Sequence, residues 1–120
     1  MKKDRVKVEF FVPVPACACS GDALMRDMDK ITRLEMMMDE LKKRYPDVEL
    51  VRHDMVDESA YTDNLKALAA YLREAGEEEF ASRIAFSLRY VMPAVAVDGR
   101  LVAYGGMPEL SEVTKALGRE

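Results

Sequence analysis

The sequence predicts an α/β domain whose four-stranded mixed sheet is flanked by helices. Apolar, β-branched runs stand near both ends of the chain, a long stretch of helical periodicity follows the first run, and Asp98-Gly99 is a strong signal for a two-residue hairpin turn. The 120 residues suit one compact domain spanning 1–120. The predicted element order is β-α-β-α-β-β-α, with an extra helical insertion between the second and third strands.

The first half of the chain predicts a strand, a long helix and a second strand. The apolar run Val6–Val12 gives a strand over residues 5–12, and Pro13 ends it because proline cannot donate to a ladder. From Asp22 onward, apolar residues recur at steps of three and four, with room for a break at Asp29–Arg33. Val48–Val56 is the second strand, which should lie parallel to the first because a helix joins them.

The second half predicts helices followed by a hairpin. One helical pattern ends or bends at Gly76, and a further helical piece follows it. Met92–Val97 and Arg100–Tyr104 are the two strands of the hairpin, and Pro108 opens a last helix.

Composition restricts the classes of partner. Apolar residues make up 49% of the chain and charged residues 33%, and the net charge of −4 comes from interspersed acids and bases with no basic stripe. We therefore expect neither nucleic acid nor a membrane as partner. The N-terminal stretch is too polar for a signal peptide or a membrane span, so we expect a cytoplasmic protein with reduced thiols.

The two cysteines, Cys17 and Cys19, stand one residue apart between the first strand and the long helix. Such a pair in the cytosol indicates catalytic redox chemistry or metal binding rather than a structural disulfide. The Cα atoms of a disulfide lie about 4.4–6.8 Å apart. Residues i and i+2 of an extended chain are about 6.6 Å apart, at the edge of this window, so the chain must curve between Cys17 and Cys19 for a disulfide to form. The small ring should strain the disulfide and make it easy to reduce. The start of the helix, near Ser20, would stabilise a thiolate, with Cys17 as the attacking thiol and Cys19 as the resolving one.

The tail Val91–Gly106 supplies the best local match to a known family. It runs through an apolar residue, a proline, an apolar strand, an acidic-Gly turn, a second strand and a glycine. With the cysteines after the first strand, this order resembles the thioredoxin-like superfamily. The resemblance implies that a cis-Pro93 faces Cys17 and that Met92 offers its backbone to an extended substrate. Thioredoxins have two residues between their cysteines and usually a tryptophan before them, whereas this chain has one residue between and no tryptophan.

The resemblance implies a thiol–disulfide oxidoreductase that works through Cys17-Ala18-Cys19 on a protein or small-molecule thiol or disulfide, with no cofactor and no bound metal. A rival hypothesis is a binding protein whose two thiolates hold Cu(I), Zn or As(III) without catalytic turnover, completed by a second chain. The pair could also be inert and buried. The chain could equally be a scaffold that docks partners on its middle helices.

Other notable residues have structural explanations. The single histidine, His53, is predicted to be a satisfied strand residue, and Glu9 is predicted to be solvated or at an edge. In the run Met36-Met37-Met38, two side chains should fill the core while the third is partly exposed. The acidic run Glu77–Glu79 suits a solvated first helical turn.

Overall fold

A computed structural model describes residues 6–14 and 21–118 of the chain. The described residues form four strands and five helices. The strands are β1 (Lys7–Val12), β2 (Glu49–Asp54), β3 (Ala94–Val97) and β4 (Arg100–Tyr104). The helices are α1 (Asp22–Arg44), α2 (Tyr61–Glu74), α3 (Glu78–Ser82), α4 (Ile84–Val91) and α5 (Leu110–Ala116). The sequence predicts two helices between β2 and β3, and the chain has three there because Arg83 leaves the helical region (φ −122°, ψ 40°) and separates α3 from α4.

The four strands form one mixed sheet in the order β2-β1-β3-β4. β1 pairs in parallel with β2, as predicted from the helical connection, and antiparallel with β3, which in turn pairs antiparallel with β4. β1 is therefore an inner strand, and all its residues after Lys7 are buried. An α/β fold with a four-stranded mixed sheet is confirmed.

Side chains alternate along β1 and build a core on each face of the sheet. Val8, Phe10 and Val12 pack with α1 and α5, where the contacting side chains include Leu34, Leu41 and Val113. Phe11 faces the other way and packs with α2 and α4, where the contacting side chains include Leu68, Leu72 and Val91. Residue 9 shares the face of Phe11, so the topology directs the Glu9 side chain toward α2.

Helix α1 is continuous over 23 residues and does not break at Asp29–Arg33. An ion pair between Arg33 Nε and Asp29 Oδ2, 3.0 Å apart and one turn along the helix, crosses the place where a break was expected. Met37 and Met38 pack against the core and Met36 is exposed, as predicted. No helix in the described part of the chain is long and apolar enough to cross a membrane.

The hairpin forms at the predicted turn and leads to a close backbone approach. Asp98 and Gly99 both have positive φ, 51° and 87°, as a type I′ turn requires. After β4, Gly105 (φ 80°) donates its N–H to the Val91 carbonyl at 3.0 Å. A Cβ at position 105 would lie 2.9 Å from the Tyr90 carbonyl oxygen, so only glycine lets the end of β4 approach the end of α4. This contact fixes the segment that leads into Pro93.

Candidate functional site

Cys17 and Cys19 lie outside the described residues, and the structure describes the chain on both sides of them. On the N-terminal side, Pro13 and Val14 continue from the end of β1. On the C-terminal side, Gly21 is the N-cap of α1. The segment that carries the thiols therefore starts at the C-terminal end of β1 and finishes at the N-terminal end of α1.

A groove of about 290 Å³ lies at this end of the sheet. Its described lining comes from the two residues after β1, from α1, from the residue after β2, and from the end of α4 with the two residues that follow it. The lining residues are Pro13, Val14, Asp27, Lys30, Met55, Leu88, Arg89, Met92 and Pro93. The fold thus brings the predicted site residues Met92 and Pro93 to the same groove as the residues that precede the cysteines.

Met92 and Pro93 stand side by side in the lining of this groove. Both residues are buried, and the peptide bond between them is cis. The Met92 N–H donates to the Leu88 carbonyl at 2.9 Å and so closes the last turn of α4. That N–H is therefore already used within the chain.

The groove combines apolar walls with charged groups. Met55 is buried and Leu88 is partly buried, while Lys30 from α1 and Arg89 from α4 bring cationic side chains. Asp27 is the one acid among the described lining residues. Neither Lys30 nor Arg89 has an ion-pair partner within residues 6–14 and 21–118. The groove therefore has a local excess of positive charge in a chain with a net charge of −4.

A buried polar cluster lies under α2, and it corrects the expectation for Glu9. Glu9 is 7% exposed on the inner strand β1, not solvated or at an edge. Its Oε2 lies 2.7 Å from His53 Nε2, and its Oε1 accepts a hydrogen bond from the Tyr71 hydroxyl. An acid is tolerated at this position because both carboxylate oxygens have partners.

His53 is satisfied at both ring nitrogens, as the sequence predicts. Its Nδ1 lies 3.1 Å from Asn64 Oδ1, and the Asn64 amide is oriented by a 3.3 Å hydrogen bond from Nδ2 to the Asp54 carbonyl. With Nδ2 engaged in this way, Asn64 Oδ1 faces the ring and accepts the hydrogen bond from His53 Nδ1. The ring of Phe11 stacks on His53 with centroids 4.6 Å apart. None of these residues lines the groove described above.

Burial and the hydrogen bond to the Glu9 carboxylate raise the pKa of Tyr71 above its usual range. Because the folded protein holds this proton more tightly than the unfolded chain, the stability it contributes is complete below the unfolded tyrosine pKa of about 10 and is lost as pH rises through the folded value. We expect urea unfolding to show a loss of stability above about pH 10 that is smaller in Tyr71→Phe. Tyr90→Phe is the matched control, because it removes the same hydroxyl from a side chain that is 62% exposed on α4. Equal alkaline losses in wild type and Tyr71→Phe would contradict this assignment.

Comparison with known proteins yields a fold relationship. No family model matches the sequence, and no curated protein matches it. The crystal structure of an arsenical resistance operon trans-acting repressor from Bacteroides vulgatus is similar to this chain, with a TM-score of 0.53 and 19% sequence identity over 95% of this chain and 93% of that chain. At this identity the likeness shows a shared α/β fold.

Proposed function

We propose that this chain is a thioredoxin-like dithiol protein that binds a soft metalloid ion, As(III), through Cys17 and Cys19. The fold assignment is supported by a β-α-β unit followed by a hairpin and a helix, and by a sheet order of β2-β1-β3-β4. Pro93 stands immediately before β3, where the family places its proline. The single observation that carries the function is the placement of the described chain on either side of the cysteine pair: Val14 lines the groove, and Gly21 is the N-cap of α1.

Thiolate sulfur is the ligand type that soft ions prefer, and two thiols one residue apart form a chelate. The repressor that shares this fold is named for arsenical resistance, which favours arsenic among the soft ions. In the proposed reaction, each thiol displaces one hydroxide of As(OH)₃. Two As–O bonds break and two As–S bonds form, and the two thiol protons leave with the hydroxides as two water molecules. No electrons are transferred.

Arsenite binding by the reduced chain tests this proposal. We expect wild type to bind one arsenic per chain, measured by equilibrium dialysis with elemental analysis and by the ultraviolet absorbance of As–S bonds. Cys17→Ser and Cys19→Ser should each weaken binding by at least about 100-fold, because a single thiolate loses the high effective concentration of the second one.

Met36→Gln is the matched control for loss of a soft sulfur. Met36 is 65% exposed on α1, and it does not line the groove. This variant should bind arsenite as wild type does. Arsenite binding that persists in the double variant Cys17→Ser/Cys19→Ser, or is absent from wild type, would refute the proposal.

Thiol–disulfide exchange is a second candidate, favoured by the groove that Met92 and Pro93 line together with Pro13 and Val14, which precede the cysteines in the chain. Here the Cys17 thiolate attacks a substrate disulfide and releases one substrate thiol, and Cys19 then attacks the mixed disulfide and releases the other. The Met92 N–H is engaged with Leu88, so an extended substrate lacks this backbone donor. Repeated reduction of insulin with glutathione as electron donor, lost in Cys17→Ser, would favour this candidate over metalloid binding.

A further inference from the structure

Helix α4 exposes two large aromatic side chains to solvent. Phe86 is 85% exposed and Tyr90 is 62% exposed. The two residues are four positions apart, so they are neighbours on one side of the helix. Exposed apolar side chains that are scattered singly are common, whereas adjacent ones indicate an interaction surface. This side of α4 is therefore a candidate surface for docking a partner.

Two cationic side chains flank the aromatic pair. Arg83 is the N-cap of α4, three residues before Phe86, and Arg89 lies in the last turn, three residues after it. Both arginines are exposed, and α4 itself contains no acidic residue. No ion pair in the described part of the chain includes either arginine. We call the two arginines and the two rings the α4 face, and through Arg89 it borders the groove.

The acidic run that precedes α4 makes its contacts elsewhere. Glu77 accepts a hydrogen bond from the Tyr104 hydroxyl, and Glu78 forms an ion pair with Arg73. Glu79 is exposed, and among the described residues it forms no ion pair with either arginine of the α4 face. The positive charge of this face is therefore not cancelled by ion pairs with the neighbouring acids.

The inner side of α4 fixes the orientation of this face. Val91 is buried in the core on the Phe11 side of the sheet, and Ile84 and Leu88 pack against the same core. The Gly105 N–H donates to the Val91 carbonyl and ties the end of the helix to the end of β4. A surface that is fixed before contact loses little conformational entropy on binding.

The charge of the α4 face distinguishes between the partners that could cover its rings. A twofold dimer pairs one surface with itself, so it would bring the four arginines of two copies into one interface, and like charges oppose association. Single-stranded nucleic acid also stacks on aromatic rings, but its sites follow the backbone along an extended cationic groove. This face has two cations in a chain with a net charge of −4. Acidic side chains on an apolar protein segment match both of its features.

We propose that the α4 face docks a segment of another protein in which acidic side chains flank apolar ones. Phe86 and Tyr90 cover the apolar side chains of the partner, and Arg83 and Arg89 pair with its carboxylates. Aromatic and arginine side chains are among those that contribute most to binding at protein interfaces. Docking at this face requires neither the cysteines nor arsenite.

Three synthetic helical peptides of about 15 residues test this docking on the full chain with its thiols reduced. The first peptide has leucines at helical spacing and glutamates at its other positions. Lysines replace the glutamates in the second peptide, and serines replace the leucines in the third. Fluorescence anisotropy of the labelled peptides measures binding. We expect the first peptide to bind at least about fivefold more tightly than either of the others.

Removal of either ring tests the apolar part of the surface. Phe86→Ala and Tyr90→Ala should each weaken binding of the first peptide by about fivefold or more. Because both side chains are exposed, their removal leaves the core intact. Met36→Ala is the matched control, since it removes an exposed apolar side chain from α1 on the opposite face of the sheet, and it should bind as wild type does.

Charge reversal tests the arginines. Arg83→Glu and Arg89→Glu should each reduce the preference for the glutamate peptide over the lysine peptide, and the double variant should reverse it. Lys115→Glu makes the same charge change as each single variant at an exposed position of α5, on the opposite face of the sheet. This control should leave the preference unchanged.

Four results would overturn the proposal. One is failure of the first peptide to bind more tightly than the other two, and another is unchanged binding in Phe86→Ala and Tyr90→Ala. A third is tighter binding of single-stranded oligothymidylate than of the first peptide, with loss in the same two variants, which would assign the face to nucleic acid. The fourth is a wild-type dimer in sedimentation analysis that Phe86→Ala converts to monomers, which would assign it to a second copy.

Discussion

Replacing Glu9 with alanine should lower the free energy of unfolding by about 3–5 kcal/mol. The substitution removes the acceptor of the Tyr71 hydroxyl and the partner of His53 Nε2, and it leaves both of these partly buried groups without a replacement. Urea unfolding followed by circular dichroism measures the effect. Glu35→Ala is the matched control, because Glu35 forms an exposed ion pair with Arg52 and should cost less than about 1 kcal/mol.

A double-mutant cycle separates the Glu9–His53 pair from the loss of side-chain volume. We expect the effects of Glu9→Ala and His53→Ala on the free energy of unfolding to be strongly non-additive, because the bond between the two side chains is already lost in either single variant and cannot be lost a second time. Additive losses within about 0.5 kcal/mol would mean that the two groups do not depend on each other. The cluster would then be a set of independent contacts.

The second large effect is expected in the core that faces α1. Phe10→Ala should lower the free energy of unfolding by about 3–5 kcal/mol, because the ring is fully buried between β1 and α1 and its removal leaves a cavity. Phe86→Ala removes the same side chain from α4, where it is 85% exposed. The control should lie within about 0.5 kcal/mol of wild type in the same urea experiment. Similar losses in the two variants would contradict the core assignment.

Local signals in the sequence predict those elements that local physics determines. The Asp98-Gly99 turn is visible because two successive residues with positive φ demand these residue types. The parallel pairing of β1 and β2 follows from a helical connection, which leaves few other topologies. The division between α3 and α4 is less visible, because no glycine or proline stands at Arg83 to mark it.

The surroundings of Glu9 show why the burial of this acid could not be predicted from the sequence. Its partners are His53 on the neighbouring strand and Tyr71, 62 residues away on α2. Only the register of β1 against β2 and the packing of α2 bring the three together, and neither is encoded near residue 9. In the register of β1 and β2, His53 lies opposite Phe11, two residues beyond Glu9 on the same face of the sheet. A search for polar residues that share one face of paired parallel strands would have found Glu9 and His53.

Some residues of the candidate site are also recognisable from the sequence, and others are not. The cysteine pair and the proline before β3 are visible in the sequence, because each has a characteristic neighbourhood. Lys30 and Arg89 are not, because surface cations are common and nothing local indicates that α1 and the end of α4 share a groove. The excess of positive charge in the groove is therefore apparent only from the tertiary structure.

The opposite environments of the two faces of β1 make a change in the length of this strand more damaging than any single substitution in it. Deletion of one residue before Glu9, with the start of the strand held in register, would turn the carboxylate toward α1 and place the Phe10 ring against His53 and Tyr71. Both cores would lose their packing at once. Homologous proteins that keep this architecture should therefore keep the residue count of this strand.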